Sequence, residues 1–208
     1  MMLSRINRGL VLIVSSPSGA GKTTICKKLI QDIENLSLSV SVTTRLKRQN
    51  EIDGKDYFFK SDEEFDKMVK EEKFLEHARV FGHSYGTLKS EINSKITNGI
   101  NVIVDIDWQG TRQIEEHIPD DIVKIFILPP SIKELEKRLG ARATETQDSF
   151  KKRMAEARKE ISHYNEYDFI IINDDIQESV NKIKLILNSE SLRRHRQVGL
   201  SEFVKDLK

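Results

Sequence analysis

Residues Ser16-Pro-Ser-Gly-Ala-Gly-Lys-Thr23, with Thr24 directly after them, carry the residue types best suited to chemistry in this chain. They nearly reproduce the pattern G-x-x-x-x-G-K-[ST]. Gly19 and Gly21 let the backbone curl so that successive N–H groups point inward as an anion nest. A helix starting here adds the positive end of its dipole. Lys22 can then reach the β- and γ-phosphates of a nucleoside triphosphate, and the Thr23 hydroxyl can ligate Mg²⁺. Ser16 stands where the pattern has its first glycine. Either that backbone position tolerates a side chain, or the loop is imperfect. Taken alone, the segment is a glycine-rich turn before a helix. The apolar run before it, the helical pattern after it and its ending favour the phosphate cradle.

Ile103-Val-Asp-Ile-Asp107 supplies a complementary feature, an apolar strand ending in acids. Asp105 and Asp107 are two apart and share one face of an extended chain. Such a strand end can present a carboxylate toward a nucleotide-bound metal. Arg45 and Arg48, three apart, can converge on one phosphate through charge-assisted bonds, although alone they read as a solvated basic loop. The span Leu135 to Arg153 holds Lys137, Arg138, Arg142, Lys151, Lys152 and Arg153. It is either a solvated charged helix pair or a lid that neutralises a phosphoryl group in transfer. The five histidines show no metal-ligand or catalytic spacing.

These residues need a frame. Gly9 to Val14 reads as a buried strand, followed by a helix over about 22–34. Leu38 to Thr44 reads as a second strand and Asp56 to Lys60 as a short aromatic one. Ser61-Asp-Glu-Glu64 has the form of a capping box opening a helix with Phe65, Met68 and Val69. A strand or strand edge is expected over Phe74 to Val80, and a helix over Leu88 to Asn98 stopped by Gly99. Ile100 to Ile106 and Val123 to Leu128 read as core strands, the latter ended by Pro129-Pro130. Helices are expected over Ile132 to Leu139 and Asp148 to Tyr164, then a strand over Phe169 to Ile172 and an amphipathic helix over Ile176 to Leu187. Strands alternating with helices predict a parallel sheet with helices on both faces, an α/β fold with ligands at the carboxyl ends of the strands.

The bulk properties narrow the function further. The 208 residues suit one domain, and 38% hydrophobic with 32% charged residues is a globular composition. A net charge of +1 provides no global field for nucleic acid or anionic membranes. Cys26 is the only cysteine, so no intramolecular disulfide is possible, and it reads as a small packing residue. No apolar run is long enough for a bilayer, and no secretory signal follows Met1 to Gly9, so a cytoplasmic location is expected.

A phosphate loop indicates a triphosphate but not its acceptor. Thr43-Thr44-Arg45-Leu-Lys-Arg48, Asp53-Gly54-Lys55-Asp56-Tyr57-Phe58, Phe74-Leu75-Glu76, Tyr85-Gly86-Thr87 and Asp105-Ile-Asp107-Trp-Gln109-Gly110 form an ordered series that resembles the guanylate kinase family from about residue 9 to 187. The resemblance implies a P-loop kinase fold with a core of about 9–40, 99–135 and 165–187, a GMP-binding subdomain of about 41–98, a lid of about 136–160 and a tail of 188–208. It implies ATP contacts from residues 16–24 (Ser16, Pro17, Ser18, Gly19, Ala20, Gly21, Lys22, Thr23 and Thr24) and from Asn173 beside the adenine. Ser41, Arg45, Arg48, Tyr57 and Tyr85 are implied at the GMP phosphate. Glu76 is implied at guanine N1–H and the 2-amino group, Thr87 at O6, and Asp107 at a second guanine contact. Asp105 with Thr23 is implied at Mg²⁺, and Arg138, Arg142 and Arg153 over the transferring phosphate. Lys22 and Arg45 complete the catalytic set. The implied reaction is GMP plus Mg·ATP giving GDP plus ADP, with dGMP as a further expected acceptor. The implied partners are small-molecule substrates, with no nucleic-acid, membrane or obligate protein partner. Two alternatives remain at this point. One is a guanylate-kinase-like protein-binding module, which keeps the fold but can lose catalytic groups. The other is a kinase for a different monophosphate.

Overall fold

The computed structural model describes residues 7–80, 82–140 and 147–207. In chain order its strands and helices are β1 (Val11–Ser15), α1 (Lys22–Asp32), β2 (Leu36–Leu38), β3 (Val42–Thr43), β4 (Phe58–Phe59), α2 (Asp62–Lys70), β5 (Phe74–Val80), β6 (His83–Leu88), α3 (Lys89–Thr97), β7 (Asn101–Asp105), α4 (Trp108–His117), β8 (Ile122–Leu128), α5 (Ile132–Gly140), α6 (Gln147–Ile161), β9 (Phe169–Ile172), α7 (Ile176–Ser191) and α8 (Leu200–Asp206).

The core sheet has the order β2-β7-β1-β8-β9, and every pairing in it is parallel. β1 lies in the middle, and its side chains alternate between two hydrophobic clusters. Leu12 and Val14 join Ile25, Leu29, Val180 and Ile183 under α1 and α7, while Val11 and Ile13 join Ile92, Ile96 and Ile114 under α3 and α4. A strand covered on both faces has no polar side, which is why the run Leu10 to Val14 is unbroken by polar residues. The expected α/β architecture is therefore what the chain adopts.

The second sheet has the order β4-β3-β6-β5. β5 and β6 form an antiparallel hairpin, β3 runs antiparallel to β6, and β4 lies parallel to β3. The expected capping box is formed: Glu64 N–H donates to Ser61 Oγ (3.1 Å) and Ser61 N–H donates to Glu64 Oε2 (2.9 Å). The helix it opens, α2, lays Phe65 on Phe74 of β5, with ring centroids 4.7 Å apart. The sheet docks on the core through α4, where Gln113 Oε1 accepts from His77 N–H (3.1 Å) and Gln113 Nε2 donates to His77 O (3.3 Å). One glutamine amide thus substitutes for a rung of strand pairing.

Two expectations need correction. Leu38 to Thr44 is not one strand. Ser39 N–H makes a last core contact to Ile103 O (2.9 Å), and the chain then leaves to pair Val42 and Thr43 in the second sheet. The last amphipathic helix does not end at Leu187. α7 continues to Ser191, and Arg196 is buried beside Glu190 (3.7 Å) and Asp121 (4.0 Å). Two elements, β6 and α4, are not signalled by the sequence pattern. Among the described residues no helix is long and apolar enough to cross a membrane.

Candidate active site

The carboxyl ends of β1 and β7 meet at a cleft of about 340 Å³, lined by Ser16, Pro17, Ser18, Gly19, the run Gly21 to Thr24, Asp105 and Glu160. Gly19 and Gly21 have φ values of 89° and 98°, the left-handed region where a side chain is strained. Gly21 is also crowded: a Cβ there would lie 2.4 Å from Asn173 Nδ2. Asn173 is 1% exposed and spends its amide on the loop, donating to Ala20 O (2.7 Å) and accepting from Ser179 Oγ (3.1 Å). Its side chain therefore braces the loop from behind. Ser16 is accommodated without distortion, its hydroxyl turned onto Pro17 O (3.1 Å).

Lys22 Nζ forms an ion pair with Asp105, so the loop cation and the strand-end acid face each other across the cleft. Mg²⁺ keeps most of its waters and takes few protein ligands when a phosphate shares it. One exposed hydroxyl, Thr23, and one carboxylate with 38% side-chain exposure, Asp105, fit that requirement. Among the described residues there is no cluster of three metal-ligating side chains, so an all-protein metal cage is not formed there. Cys26 sits below the loop in the core, and burial pushes its thiol up to about 12, which makes it inert.

A hydroxyl network that the sequence did not signal ties this cleft to α4. Ser15 Oγ donates to Ile106 O (2.6 Å), Thr111 Oγ1 donates to Asp107 O (2.8 Å), and the hydroxyls of Thr111 and Tyr167 are 3.2 Å apart. Asp107 itself caps α4, its Oδ1 accepting from Gln109 N–H (2.9 Å) and Gly110 N–H (3.0 Å).

Across α4 lies a second polar pocket. Glu76 from β5 is 6% exposed and Thr87 from β6 is fully buried, and Thr87 Oγ1 donates to Glu76 Oε1 at 2.7 Å. Burial raises the Glu76 carboxyl above the ordinary range, and the charge of Asp107 adds to the rise. Gly110 leaves room for this carboxylate, since a Cβ there would stand 3.3 Å from Glu76 Oε2. The structure thus brings Glu76, Thr87 and Asp107 together.

The arginines expected at an acceptor phosphate lie in the segment between β3 and β4. Arg45 donates to Glu51 Oε1 (2.6 Å) and to Leu46 O (2.8 Å), and its guanidinium lies 5.3 Å from the Tyr57 ring centroid. Tyr57 and Tyr85 meet edge to face at 6.1 Å. Arg48 contributes its backbone N–H to Glu51 Oε2 (2.8 Å), while its side chain is exposed. The Arg45 hydrogen bond holds the Glu51 carboxyl below its ordinary range. Ser41 joins the group through its carbonyl, which accepts from Phe58 N–H (2.9 Å).

α5 and α6 pack on each other through Leu135, Leu139, Met154 and Ala157. Leu135 and Leu139 also approach Gly19, which places the pair over the loop. Arg153 reaches Ser18 Oγ (3.3 Å), and Arg138 is held by Glu134 (2.8 Å). Arg142 lies outside the described residues. The end of α6 is tied to α4: His163 stacks on Trp108 (3.8 Å, 9°), and Glu166 accepts from Arg112 (2.8 and 2.7 Å) and meets His163 Nδ1 (2.7 Å). Arg112 holds the Glu166 carboxyl down to about 2. Glu160, absent from the expected set, also lines the loop cleft with its Oε2 buried and without a hydrogen-bond partner, and burial raises its carboxyl.

A parallel sheet with a glycine-rich nest after its central strand, a loop lysine and a facing strand-end acid defines a nucleotide-binding kinase of the P-loop class. Comparison with known proteins specifies it further. The guanylate kinase family model matches residues 8–190, and the chain belongs to that family. The guanylate kinase of Paramagnetospirillum magneticum is 48% identical over 201 residues, covering 97% of this chain and 94% of the relative. That of Novosphingobium aromaticivorans is 48% identical over 200 residues, covering 96% and 90%. The crystal structure of guanylate kinase from Anaplasma phagocytophilum superposes with a TM-score of 0.76 at 37% identity, covering 97% and 96% of the two chains.

Proposed function

We propose that this protein transfers the γ-phosphoryl group of Mg·ATP to GMP, giving GDP and ADP. The observation that carries the acceptor assignment is the buried Glu76 carboxylate bonded to Thr87. A hydroxyl has one proton, and Thr87 spends it on Glu76 in this structure. When guanine enters, that proton turns to O6 and Glu76 accepts from N1–H and the 2-amino group. Adenine has no proton at N1 and no 2-amino group, so Glu76 would face a lone pair and lose both hydrogen bonds that guanine gives it, each worth about 1.5–3 kcal/mol to a charged group.

The remaining roles follow from position. Residues 16–24 cradle the triphosphate, and Lys22 neutralises charge on its terminal phosphates. Asn173 keeps the loop curled. Thr23 and Asp105 would hold Mg²⁺, which supplies charge neutralisation between the phosphates. Arg45, Arg48, Ser41, Tyr57 and Tyr85 receive the GMP phosphate, with Arg45 leaving Glu51 for it. Arg138, Arg142 and Arg153 close over the reacting groups and exclude water. We assign residues 41–98 as the acceptor-binding unit, 136–160 as the lid, and 188–208 as a tail. Small nucleotides are the only partners this chemistry requires, and a cytoplasmic location follows from their supply.

The test is an ADP-release assay with Mg·ATP against GMP, AMP, CMP, UMP and dTMP in parallel. Turnover confined to GMP is expected. Turnover with another base at a comparable rate would refute the Glu76–Thr87 reading while leaving the phosphate loop standing.

A further inference from the structure

We infer that Tyr167 is a positioning residue for phosphoryl transfer: its hydroxyl, acting through Thr111, fixes the bend between β7 and α4 that aligns the donor and acceptor sites. The inference rests on the proposed roles of Asp105 at the donor and Asp107 at the acceptor. β7 ends at Asp105 and α4 begins at Trp108, so only Ile106 and Asp107 separate the two elements. Side chains hold the carbonyls of both. Ser15 Oγ, one residue before the phosphate loop, donates to Ile106 O (2.6 Å), and Thr111 Oγ1 donates to Asp107 O (2.8 Å). A hydroxyl has one proton. With that of Thr111 on Asp107 O, the Tyr167 O–H donates to Thr111 Oγ1 (3.2 Å).

A threonine bonded back to the carbonyl four residues earlier is common in helices. The partners that gather on this one are not local. Ser15, Thr111 and Tyr167 come from β1, α4 and the connection between α6 and β9, and all three are buried. Apolar side chains of like shape would fill the same space with no hydroxyl to satisfy. What the hydroxyls add is direction. Tyr167 is one of three contacts along α4. Trp108 meets His163, Thr111 meets Tyr167 and Arg112 meets Glu166, and positions i, i+3 and i+4 share one helix face. The chain leaving α6 is thus laid along α4, while Gly110 and Gln113 of the same helix meet Glu76 and His77. Of the three contacts, the Tyr167 hydroxyl is the one that reaches the bend through a hydrogen bond to its carbonyl-holding threonine.

The experiment is steady-state kinetics of the full chain with Mg·ATP and GMP, with a melting curve for each protein. Wild type is compared with Tyr167→Phe, Thr111→Val, Thr111→Ser, the Tyr167→Phe/Thr111→Val double variant and Lys22→Ala. Among the described residues neither hydroxyl bonds to residues 16–24 or to the Glu76–Thr87 pair, so each substrate should still bind and their mutual alignment should suffer. Tyr167→Phe and Thr111→Val are each expected to lower kcat about tenfold, with both KM values within about twofold of wild type. The double variant should fall no further than Thr111→Val, because the two hydroxyls act in one chain. Thr111→Ser, which keeps the hydroxyl, should hold kcat near wild type. A role in packing alone would lower the melting temperature and leave kcat unchanged below it. That result in Tyr167→Phe, or kcat losses that multiply in the double variant, overturns the role of Tyr167. If Tyr167→Phe does not fold, equal kcat in Thr111→Val and Thr111→Ser overturns it instead. Loss of turnover in Lys22→Ala beside wild-type kcat in Tyr167→Phe removes only this inference. No turnover in wild type, or wild-type kcat in Lys22→Ala, overturns the reading of the two sites and the role of Tyr167 with it.

Discussion

The two phosphate sites proposed for this molecule are made of different materials. The donor loop is backbone: left-handed glycines, a helix N-terminus and an asparagine that braces them from the core. The acceptor site is side chains: arginines and tyrosines on a four-stranded sheet, with Arg45 parked on Glu51. Backbone geometry is fixed once the chain folds, so the donor site tolerates few changes in shape. Side chains on a sheet can be exchanged singly, so the acceptor site can be tuned residue by residue. Each proposed site also holds a carboxylate, Glu160 in the lining of the loop cleft and Glu51 bonded to Arg45 and to the Arg48 N–H.

Substitutions should separate the two halves. The largest effect is expected for Lys22→Ala, which should lower kcat about 10²–10³-fold, as for loss of one preorganised donor. Its GMP KM should stay near wild type; a large rise would mean that the halves are not separable. Glu76→Gln should lower kcat/KM for GMP about 10–100-fold with little change in the ATP KM, matching the loss of a charged hydrogen bond in a buried site. The pH dependence sharpens this prediction. Glu76 must be ionised to accept from guanine, and its carboxyl is raised. GMP KM should therefore climb on acidification at a higher pH than a free glutamate would give, while the ATP KM stays flat. For stability the sign is opposite. A raised carboxyl favours the folded state below its unfolded value and loses that contribution as pH rises through the folded one, so Glu76→Gln should melt no lower than wild type at neutral pH.

Asn173→Ala leaves the buried Ala20 carbonyl without its donor and should cost about 1–3 kcal/mol of stability. It should also raise the ATP KM and spare that for GMP; chemical denaturation and steady-state kinetics read both. The smallest effect is expected at the base of α6. Glu166→Gln should cost at most about 1 kcal/mol near neutral pH, because the pair with Arg112 is largely exposed and screened. Glu166 is depressed to about 2, so its stabilisation is present above the ordinary carboxylate range and fades between about 4.5 and 2. Melting curves across that window should converge for the two proteins.

Legibility followed the same division. The donor half could be read because glycine and lysine punctuation, a buried strand and a helix start are local signals. Its brace could not, because Asn173 lies 153 residues from Ala20. In the acceptor half the motif residues were legible through resemblance, but two of their supports were not. β6 carries Gly86 and mixed polar residues without a clean alternation, and α4 has Gly110 in its first turns, which weakens a helical pattern. The segment over 38–44 read as one strand because Ser39, Val40 and Ser41 carry neither glycine nor proline to mark the departure. Glu160 looks like every other acid in a charged helix, and only the packing of α6 on the loop distinguishes it.

Gln113 and Gly110 have a consequence for anyone rebuilding this molecule. Both belong to α4, a helix of the core, yet one fastens β5 and the other makes room for the Glu76 carboxylate. On the proposed reading of Glu76, base choice is a property of the seam between α4 and the second sheet. A graft of residues 41–98 onto another P-loop scaffold would carry the reader without the wall it reads against. Such a transplant should recognise phosphate and lose its choice of base unless α4 travels with it.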